Sequence, residues 1–433
     1  MNSNEKIVFT GAGAVCAAGR TVDAIWEAVL NGRSAITPIT EWDTSGWPVH
    51  MAGETTGVDN RTLVEDRKLH KLISRTDMFG LYAAGVAIQE SGLIAHRESL
   101  DAAAAARFND RSGIFVGTGS GGGNDRIFYE FFPAMTVAQG DLQVLGREFS
   151  NSVNPMLLLK HLPNNVLCHL GIRHNFKGTN ACITNHCVGG VLAVAEAASA
   201  LRFGEADRAT AVGHDKPLEP EMVFYYQRLG LLADDETVRP FDRNRGGTVL
   251  GEGAAALVLE KAADAEARGA AVIGQYLGSG CVTEATGILD VRADGDGVSR
   301  AIRLALADAG ISTDAIGMIV AHGNGTKVSD ASEAAAIRHV FGENIPPVTA
   351  FKWAFGHSLA PSGLLDLVLA LRALRAGVVP AIPTLRTIDP GLAPFPVSTS
   401  PQKPRSDVAL ILCRGFGGTD AAILVRADSS RGA

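Results

Sequence analysis

The residues best able to do chemistry lie in the segment GTNACITNHCVGG, residues 178–190. Within it, Cys182 precedes the Ala-rich run VLAVAEAASALRFG, whose spacing predicts a helix. A thiol at a loop-to-helix junction feels the positive end of the helix dipole, which favours the nucleophilic thiolate. Cys182 is therefore a candidate nucleophile, although a lone cysteine is more commonly a buried structural residue.

Two histidines in Gly-flanked loops are candidates to act with this thiol. His322 follows an apolar run in AHGNGTKVSD, and His357 precedes an apolar helix in FKWAFGHSLAPSG. Glycines allow close backbone approach, and loops at the ends of regular elements often carry functional residues. A single histidine is normally structural, whereas two Gly-flanked histidines, in loops that an internal repeat brings to the same side as Cys182, predict one site shared with that cysteine.

The second half of the chain repeats the order of elements in the first. VIGQYLGSG resembles IVFTGAG, GMIVAHGNGT resembles GIFVGTGSGG, and the His357 unit ends in the same ALR-x-G pattern as the Cys182 unit. Helices that alternate with apolar strands predict an α/β fold with helices on the faces of the sheets. We expect two halves, residues 1–265 and 266–433, with an insertion at about 124–177, packed as an α/β/α/β/α sandwich.

Composition restricts the class of protein. Of the 433 residues, 46% are hydrophobic and 20% charged, as in an enzyme with a large core, and the net charge of −7 argues against nucleic acid as a partner. The six cysteines form no CxxC pair, which favours a reducing cytoplasm. No apolar leader or run of about 18 apolar residues occurs, so we expect no membrane insertion. His186 and Cys187 have too few nearby ligands to predict a metal site.

The motifs together resemble the β-ketoacyl-acyl-carrier-protein synthases of the thiolase fold, most closely the elongating condensing enzymes. The resemblance covers about residues 6–426, and PFDRNRGGTVLGEGAAALVLE matches a further stretch of the family. Four motifs occur in the family's order: Ala181-Cys182, His322-Gly-Asn-Gly-Thr326 with Asp330 and Glu333, Lys352 with Gly356-His357, and Gly415-Phe416-Gly-Gly-Thr419-Asp420.

The resemblance implies a decarboxylative Claisen condensation in fatty-acid-like or polyketide biosynthesis. An acyl group held on Cys182 would react with malonyl-acyl-carrier-protein to give 3-oxoacyl-acyl-carrier-protein and carbon dioxide. His322 and His357 would hold the malonyl carbonyl oxygen and stabilise the enolate. The backbone N–H groups of Cys182 and Phe416 would form the oxyanion hole.

Supporting roles are also implied by the resemblance. Lys352 would pair with Glu333 and orient His357, a buried ion pair with an organising task, and Asp330 would be a further supporting residue.

Substrate access is implied in the same way. Phe416 would be the gating aromatic residue, and Thr326, together with Asn324, would bind the pantetheine arm. The implied substrates are carried on the phosphopantetheine of an acyl carrier protein, and no separate cofactor is expected.

The implied partner is an acidic acyl carrier protein, which calls for a basic docking surface. The family also forms homodimers, or heterodimers with a ketosynthase-like partner subunit, and the sequence does not choose between them. The candidate docking residues are Arg67, Lys68, Lys71 and Arg228.

The chain departs from the family pattern at several positions. The segment ACITNHC, residues 181–187, is one residue shorter than the usual family segment around the nucleophile. A shifted alignment would therefore pair Cys187 with a second family cysteine and leave Ala181 at the nucleophile position. We prefer Cys182, because it follows Ala181 and lies at the expected interval before His322. Asn324 replaces a Thr, and Arg414 stands near the acyl cavity where an apolar residue is usual.

Two other functions remain open at this stage. A chain-length-factor-like partner subunit would normally lack the nucleophile, which the chain retains. The other function is that of an acyltransferase or a thiolase acting without decarboxylation. A thiolase would use a second catalytic cysteine near the C-terminus, for which Cys413 is the candidate.

Overall fold

The computed structural model describes residues 5–119, 125–392, 395–397 and 399–428. In these ranges, β2 and β3 pair with each other and the other strands form a single large sheet. The strands are β1 (Ile7–Cys16), β2 (Thr37–Pro38), β3 (Met51–Ala52), β4 (Ser112–Thr118), β5 (Asn180–Ile183), β6 (Arg208–Asp215), β7 (Gly253–Lys261), β8 (Gly274–Thr283), β9 (Met318–Val320), β10 (Val348–Thr349), β11 (Val408–Gly415) and β12 (Thr419–Ala427).

Helices lie between most of the strands. The α-helices are α1 (Val22–Leu30), α2 (Asn60–Leu63), α3 (Arg75–Glu90), α4 (Leu93–Glu98), α5 (Ala102–Asp110), α6 (Asp125–Ala138), α7 (Leu142–Ser152), α8 (Leu157–Lys160), α9 (Asn165–His174), α10 (Gly189–Arg202), α11 (Pro220–Arg228), α12 (Ala262–Ala267), α13 (Asp296–Ala309), α14 (Lys327–Phe341), α15 (Lys352–Phe355) and α16 (Ser362–Ala376). Short 3₁₀ turns occupy Leu69–Lys71, His186–Val188, Thr313–Ala315 and Pro390–Leu392.

The large sheet is two copies of one strand arrangement. Its order is β10-β9-β11-β12-β8-β1-β7-β6-β4-β5, so the N-terminal strands form one half and the C-terminal strands the other. In one half β4 pairs in parallel with β5 and β6, and in the other half β9 pairs in parallel with β10 and β11. The halves join where β1 pairs with β8, from Ile7 opposite Tyr276 to Phe9 opposite Gly274. This repetition confirms the duplicated fold predicted from the sequence.

Two helices fill the space between the halves of the sheet. Helix α10 contacts β4 and β6 of one half and β12 of the other, while α16 contacts β11 and β12 on one side and β7 on the other. Most of α16 is buried on every side, which explains its apolar sequence. Helix α3 packs on β1 and β7, and α13 packs on β8 and β12, so they supply the outer layers of the predicted α/β/α/β/α sandwich.

The segment between β4 and β5 holds helices α6 to α9. The insertion predicted at about 124–177 falls here, although residue 124 lies outside the described residues. In the ranges that the structure covers, every helix is too short or too polar to cross a membrane.

Candidate active site

Cys187 lies with the two histidines that the sequence singled out. Its Sγ is 3.5 Å from Nε2 of His357. The rings of His357 and His322 are 5.1 Å apart between centroids and nearly perpendicular, at 80°. All three side chains line one cavity. The predicted meeting of a thiol with His322 and His357 is therefore observed, but the thiol belongs to a different cysteine.

Cys182 lies away from this cavity. It is a residue of β5, where it pairs with Val116 of β4, and its Sγ donates a hydrogen bond to the carbonyl oxygen of Pro163 at 3.3 Å. The prediction of Cys182 as the nucleophile, and of its N–H as an oxyanion donor, is wrong. The reason is that the chain continues as an extended strand through Ile183, so the helix does not begin until Gly189.

The start of α10 brings Cys187 into the cavity. The 3₁₀ turn His186–Val188 runs directly into the helix, and Gly189 packs against Gly117 of β4. A Cβ on Gly117 would lie 2.1 Å from the carbonyl carbon of Gly189, so only glycine permits this approach. In the sequence, the paired glycines after Cys187 mark this junction. The Ala-Cys dipeptide at 181–182 does not mark the start of the helix.

The Cys187 thiol is protonated at rest. Burial raises its pKa to about 12, and the nearby carboxyl of Asp215 acts in the same direction, whereas Lys352 opposes both. The dipole of α10 favours the thiolate, yet removal from water is the larger effect. A neighbouring base would therefore be needed before this thiol could act as a nucleophile.

Both histidines present an Nε2–H group to the cavity. The backbone N–H of Leu359 donates to Nδ1 of His357, and that of Arg414 donates to Nδ1 of His322, each at 3.4 Å. A neutral imidazole that accepts at Nδ1 carries its proton on Nε2. Burial, with a contribution from Lys352, holds the pKa of both histidines well below the usual range, so they are neutral N–H donors.

Two buried carboxyl groups on α14 fix the loop that carries His322. Glu333 accepts hydrogen bonds from the backbone N–H of His322 at 2.6 Å and of Gly323 at 3.0 Å. Asp330 accepts from Gly325 at 3.2 Å, and burial raises its pKa to about 7. These contacts give both acids a positioning task in the site.

Lys352 pairs with Asp366 and not with Glu333. Its Nζ lies 3.0 Å from Oδ2 of Asp366, and both side chains are fully buried. The predicted Lys352–Glu333 pair is wrong, because the Glu333 carboxylate already accepts two backbone N–H groups. Asp366 was missed, although a lone carboxylate in the apolar run SGLLDLVLAL was a signal for a buried partner.

An aromatic wall closes the cavity, which has a volume of about 80 Å³. Phe416 packs against His186 and Tyr226, with ring centroids 5.0 and 5.6 Å apart. Ordinary ligand pockets measure about 300–1,000 Å³. A ligand of that size would fit only if the wall moved, and Phe416 is followed by Gly417 and Gly418, which both have positive φ.

The loop after His322 also lines the cavity. Asn324 and Thr326 both face it, and Oδ1 of Asn324 accepts hydrogen bonds from the backbone N–H and the hydroxyl of Thr326, at 3.0 and 2.9 Å. The substitution of Asn for Thr at 324 thus produces a local turn that fixes Thr326.

Arg414 reaches the cavity wall from within a buried ionic cluster. Its guanidinium contacts Asp420 at 2.7 Å and Glu284 at 3.0 Å. Burial raises the pKa of Asp420 to about 6, against the opposing effect of Arg414. The charge that Arg414 introduces beside the cavity is therefore compensated by the carboxyl groups of Asp420 and Glu284.

The remaining predicted residues lie outside the cavity. Cys413 is buried, and its thiol donates to the carbonyl oxygen of Cys187 at 3.2 Å. Within the described ranges, no group of His, Cys, Asp and Glu side chains is placed to hold a metal ion. The side chains predicted to dock a carrier protein are exposed: Arg67, Lys68, Lys71 and Arg228.

A duplicated five-layer sandwich with a thiol and two neutral histidines at its centre defines a thiolase-like condensing enzyme. Two family descriptions match the chain: Beta-ketoacyl synthase, N-terminal domain, over residues 4–265, and Beta-ketoacyl synthase, C-terminal domain, over residues 273–386. The chain belongs to the beta-ketoacyl synthase family. The predicted family, fold and class of enzyme are thereby confirmed.

Individual relatives resemble the chain over nearly its full length. It is 29% identical over 436 residues to the 3-oxoacyl-acyl-carrier-protein synthase 2 of Vibrio cholerae serotype O1, covering 98% of this chain and 99% of that protein. The solved ishigamide ketosynthase/chain length factor superposes with a TM-score of 0.85 at 27% identity, over 98% and 99% of the chains. A type II polyketide ketosynthase solved with its acyl carrier protein, AntDE:AntF, gives a TM-score of 0.81 at 25% identity over the same shares.

Proposed function

We propose that the protein condenses an acyl group held on Cys187 with malonyl-acyl-carrier-protein, releasing carbon dioxide and giving 3-oxoacyl-acyl-carrier-protein. The observation that carries the proposal is the position of the Cys187 sulfur, 3.5 Å from Nε2 of His357 in the cavity that His322 shares. The pathway is fatty-acid or polyketide biosynthesis, as the similarity to a 3-oxoacyl-acyl-carrier-protein synthase and to polyketide-type ketosynthases suggests.

The reaction divides into two steps at one sulfur. First, Cys187 attacks the carrier thioester, and the acyl group moves to the enzyme as the carrier thiol leaves. Second, the malonyl thioester loses carbon dioxide, and the resulting carbanion attacks the acyl-Cys187 carbonyl. The sulfur of Cys187 is then released, and the product stays on the carrier.

The two Nε2–H groups suit the decarboxylation. Loss of carbon dioxide places negative charge on the thioester oxygen, and donors already oriented toward that oxygen stabilise the charge without reorganisation. His322 and His357 are held in this tautomer by backbone N–H groups at their Nδ1 atoms. Neutral donors also avoid holding the malonyl carboxylate as an ion pair, which would oppose its loss.

The oxyanion hole for acyl transfer is proposed to consist of the backbone N–H groups of Cys187 and Phe416. A Cβ on Gly415 would lie 3.5 Å from the backbone nitrogen of Cys187, so the two segments run side by side. Phe416 then combines two roles, since its ring forms the movable wall and its N–H faces the reacting carbonyl.

Two sets of residues are proposed to recognise the carrier protein and its pantetheine arm. Thr326 and Asn324 are proposed to bind the pantetheine arm, because both line the cavity. The acidic carrier is proposed to dock on the exposed cations Arg67, Lys68, Lys71 and Arg228. A homodimer, or a heterodimer with a ketosynthase-like subunit, is the proposed assembly.

The reaction type is tested by comparing malonyl and acetyl donors. Purified protein with an acyl carrier protein primed by a short acyl group should release one carbon dioxide per 3-oxoacyl product from the malonyl carrier and give no product from the acetyl carrier. Product from the acetyl carrier would indicate a thiolase. Acylation without any condensation would indicate an acyltransferase, and no acylation would indicate a chain-length-factor-like subunit.

A further inference from the structure

His186 places a second imidazole at the Cys187 sulfur. Its Nδ1 is 3.3 Å from Sγ, slightly nearer than Nε2 of His357 at 3.5 Å. Its Nε2 lies 3.4 Å from the hydroxyl oxygen of Tyr226 on α11. One ring therefore connects the thiol to a phenol, and none of the roles described above uses it.

The backbone holds this imidazole in place at some cost. His186 has φ of 45°, in the left-handed region that a side chain with a Cβ seldom adopts. Such strained residues collect at functional sites, where the surrounding structure fixes them. Here the ring lies against Phe416, with centroids 5.0 Å apart, and against Tyr226, with centroids 6.5 Å apart.

The tautomers distinguish the two imidazoles at the sulfur. His357 already carries its proton on the Nε2 that faces Cys187, so it can donate to the sulfur but cannot accept from it. His186 can donate from Nε2 to the Tyr226 oxygen, which leaves the Nδ1 lone pair directed at Sγ. Burial lowers the pKa of His186, so the imidazole is neutral and available as an acceptor.

We propose that His186 is the general base for loading Cys187, an inference that rests on the proposed function. As Sγ bonds to the acyl carbon, the thiol proton moves to Nδ1 of His186. The bond between the acyl carbon and the carrier sulfur then breaks, and the departing thiolate takes that proton from Nδ1. One thioester and one thiol are consumed, one of each is formed, and no other reactant is needed.

The test is single-turnover acylation of Cys187 by an acyl-carrier thioester, followed by intact mass from pH 6.5 to 9.5. His186→Asn is the informative variant, because Asn tolerates positive φ but cannot take the proton at these pH values. At pH 7 we expect acylation to slow by about 100-fold, within the range for general bases. Tyr226→Phe keeps the stacked ring and should slow acylation several-fold, and His50→Asn, at an exposed histidine outside the cavity, should have no effect.

The pH profile separates a base from a structural residue. The titratable side chains around His186 are Cys187, Tyr226 and, farther off, His357. Wild-type acylation should be nearly flat between about pH 7 and 9, because His186 is already neutral, whereas the variant should gain about tenfold per pH unit as hydroxide supplies the thiolate, and should reach the wild-type rate at about pH 9. If His186→Asn were acylated as fast as wild type, or if its acylation were slower by the same factor at every pH, the role of His186 as the base would be overturned. Absence of any adduct on wild-type Cys187 would instead overturn the proposed function.

Discussion

Cys182 and Cys187 lie in one short segment and have different surroundings. Cys182 belongs to the strand β5 at the end of the sheet, where its thiol contacts a backbone carbonyl. Cys187 belongs to the turn that starts α10, where its sulfur faces two imidazoles. The start of the helix, and not the Ala-Cys dipeptide, therefore determines which thiol lies beside the imidazoles.

The largest expected effect is the difference in product formation between variants that lack one or the other of these two cysteines. Cys187→Ala should lower product formation by more than about 10³-fold, because no acyl group can be stored on the enzyme. Cys182→Ala, made as the matched control, should retain activity within about twofold. Activity is measured as 3-oxoacyl product per minute with a primed carrier. Loss of activity in Cys182→Ala, with Cys187→Ala active, would reverse the assignment.

The next effect concerns the histidines beside Cys187. His322→Ala and His357→Ala should each lower carbon dioxide release from the malonyl carrier by about 10²–10³-fold, as expected when one oriented donor to a developing oxyanion is lost. Acyl loading on Cys187, measured separately by intact mass, should fall much less. If loading fell as far as decarboxylation, the donors would act at the first step and the division of roles proposed here would fail.

The buried ion pair behind the site should respond more strongly than a surface pair. Asp366→Ala leaves the fully buried Lys352 without its partner, and we expect a loss of about 3–5 kcal/mol in the free energy of unfolding. Asp296→Ala removes the exposed pair with Arg300 and should cost about 0–1 kcal/mol. Urea titrations measure both values. Equal losses would contradict the assigned burial.

The smallest expected effect is on the reactivity of the Cys187 thiol alone. Burial raises its pKa to about 12, so the thiolate is scarce at pH 8, whereas an unfolded thiol has a pKa of about 8.5. A group whose pKa rises on folding is alkylated more slowly in the folded state at that pH. In Cys182→Ala protein, iodoacetamide should label Cys187 at least about tenfold more slowly when folded than in urea. Faster labelling when folded would show that the helix dipole outweighs burial.

The fold and the histidines could be predicted from the sequence because both depend on repeated local patterns. The strand order of the two halves follows the repeat. His322 and His357 come to one cavity because they lie in the segments that follow β9 and β10, which are parallel neighbours and so end at the same edge of the sheet. The family could be predicted because four of its motifs occur in this sequence in the same order.

What could not be predicted depends on packing between distant residues. Lys352 is joined to Asp366 because α16 is buried with that side chain directed at Nζ, a fact that no local pattern records. The choice between Cys182 and Cys187 depended on where the strand β5 ends and α10 begins, and element boundaries are poorly marked in sequence.

The most direct test is to locate the acyl group in the wild-type protein. Trypsin cleaves after Lys177 and Arg202 and leaves both cysteines in one peptide, so fragment ions that break the chain between Ile183 and His186 must assign the added mass. The enzyme is incubated with an acyl-carrier thioester, without the malonyl donor, and digested briefly with trypsin at neutral pH, where the acyl thioester survives. We predict the acyl mass on fragments that contain Cys187 and none on those that contain only Cys182. The acyl mass on Cys182 would contradict the account.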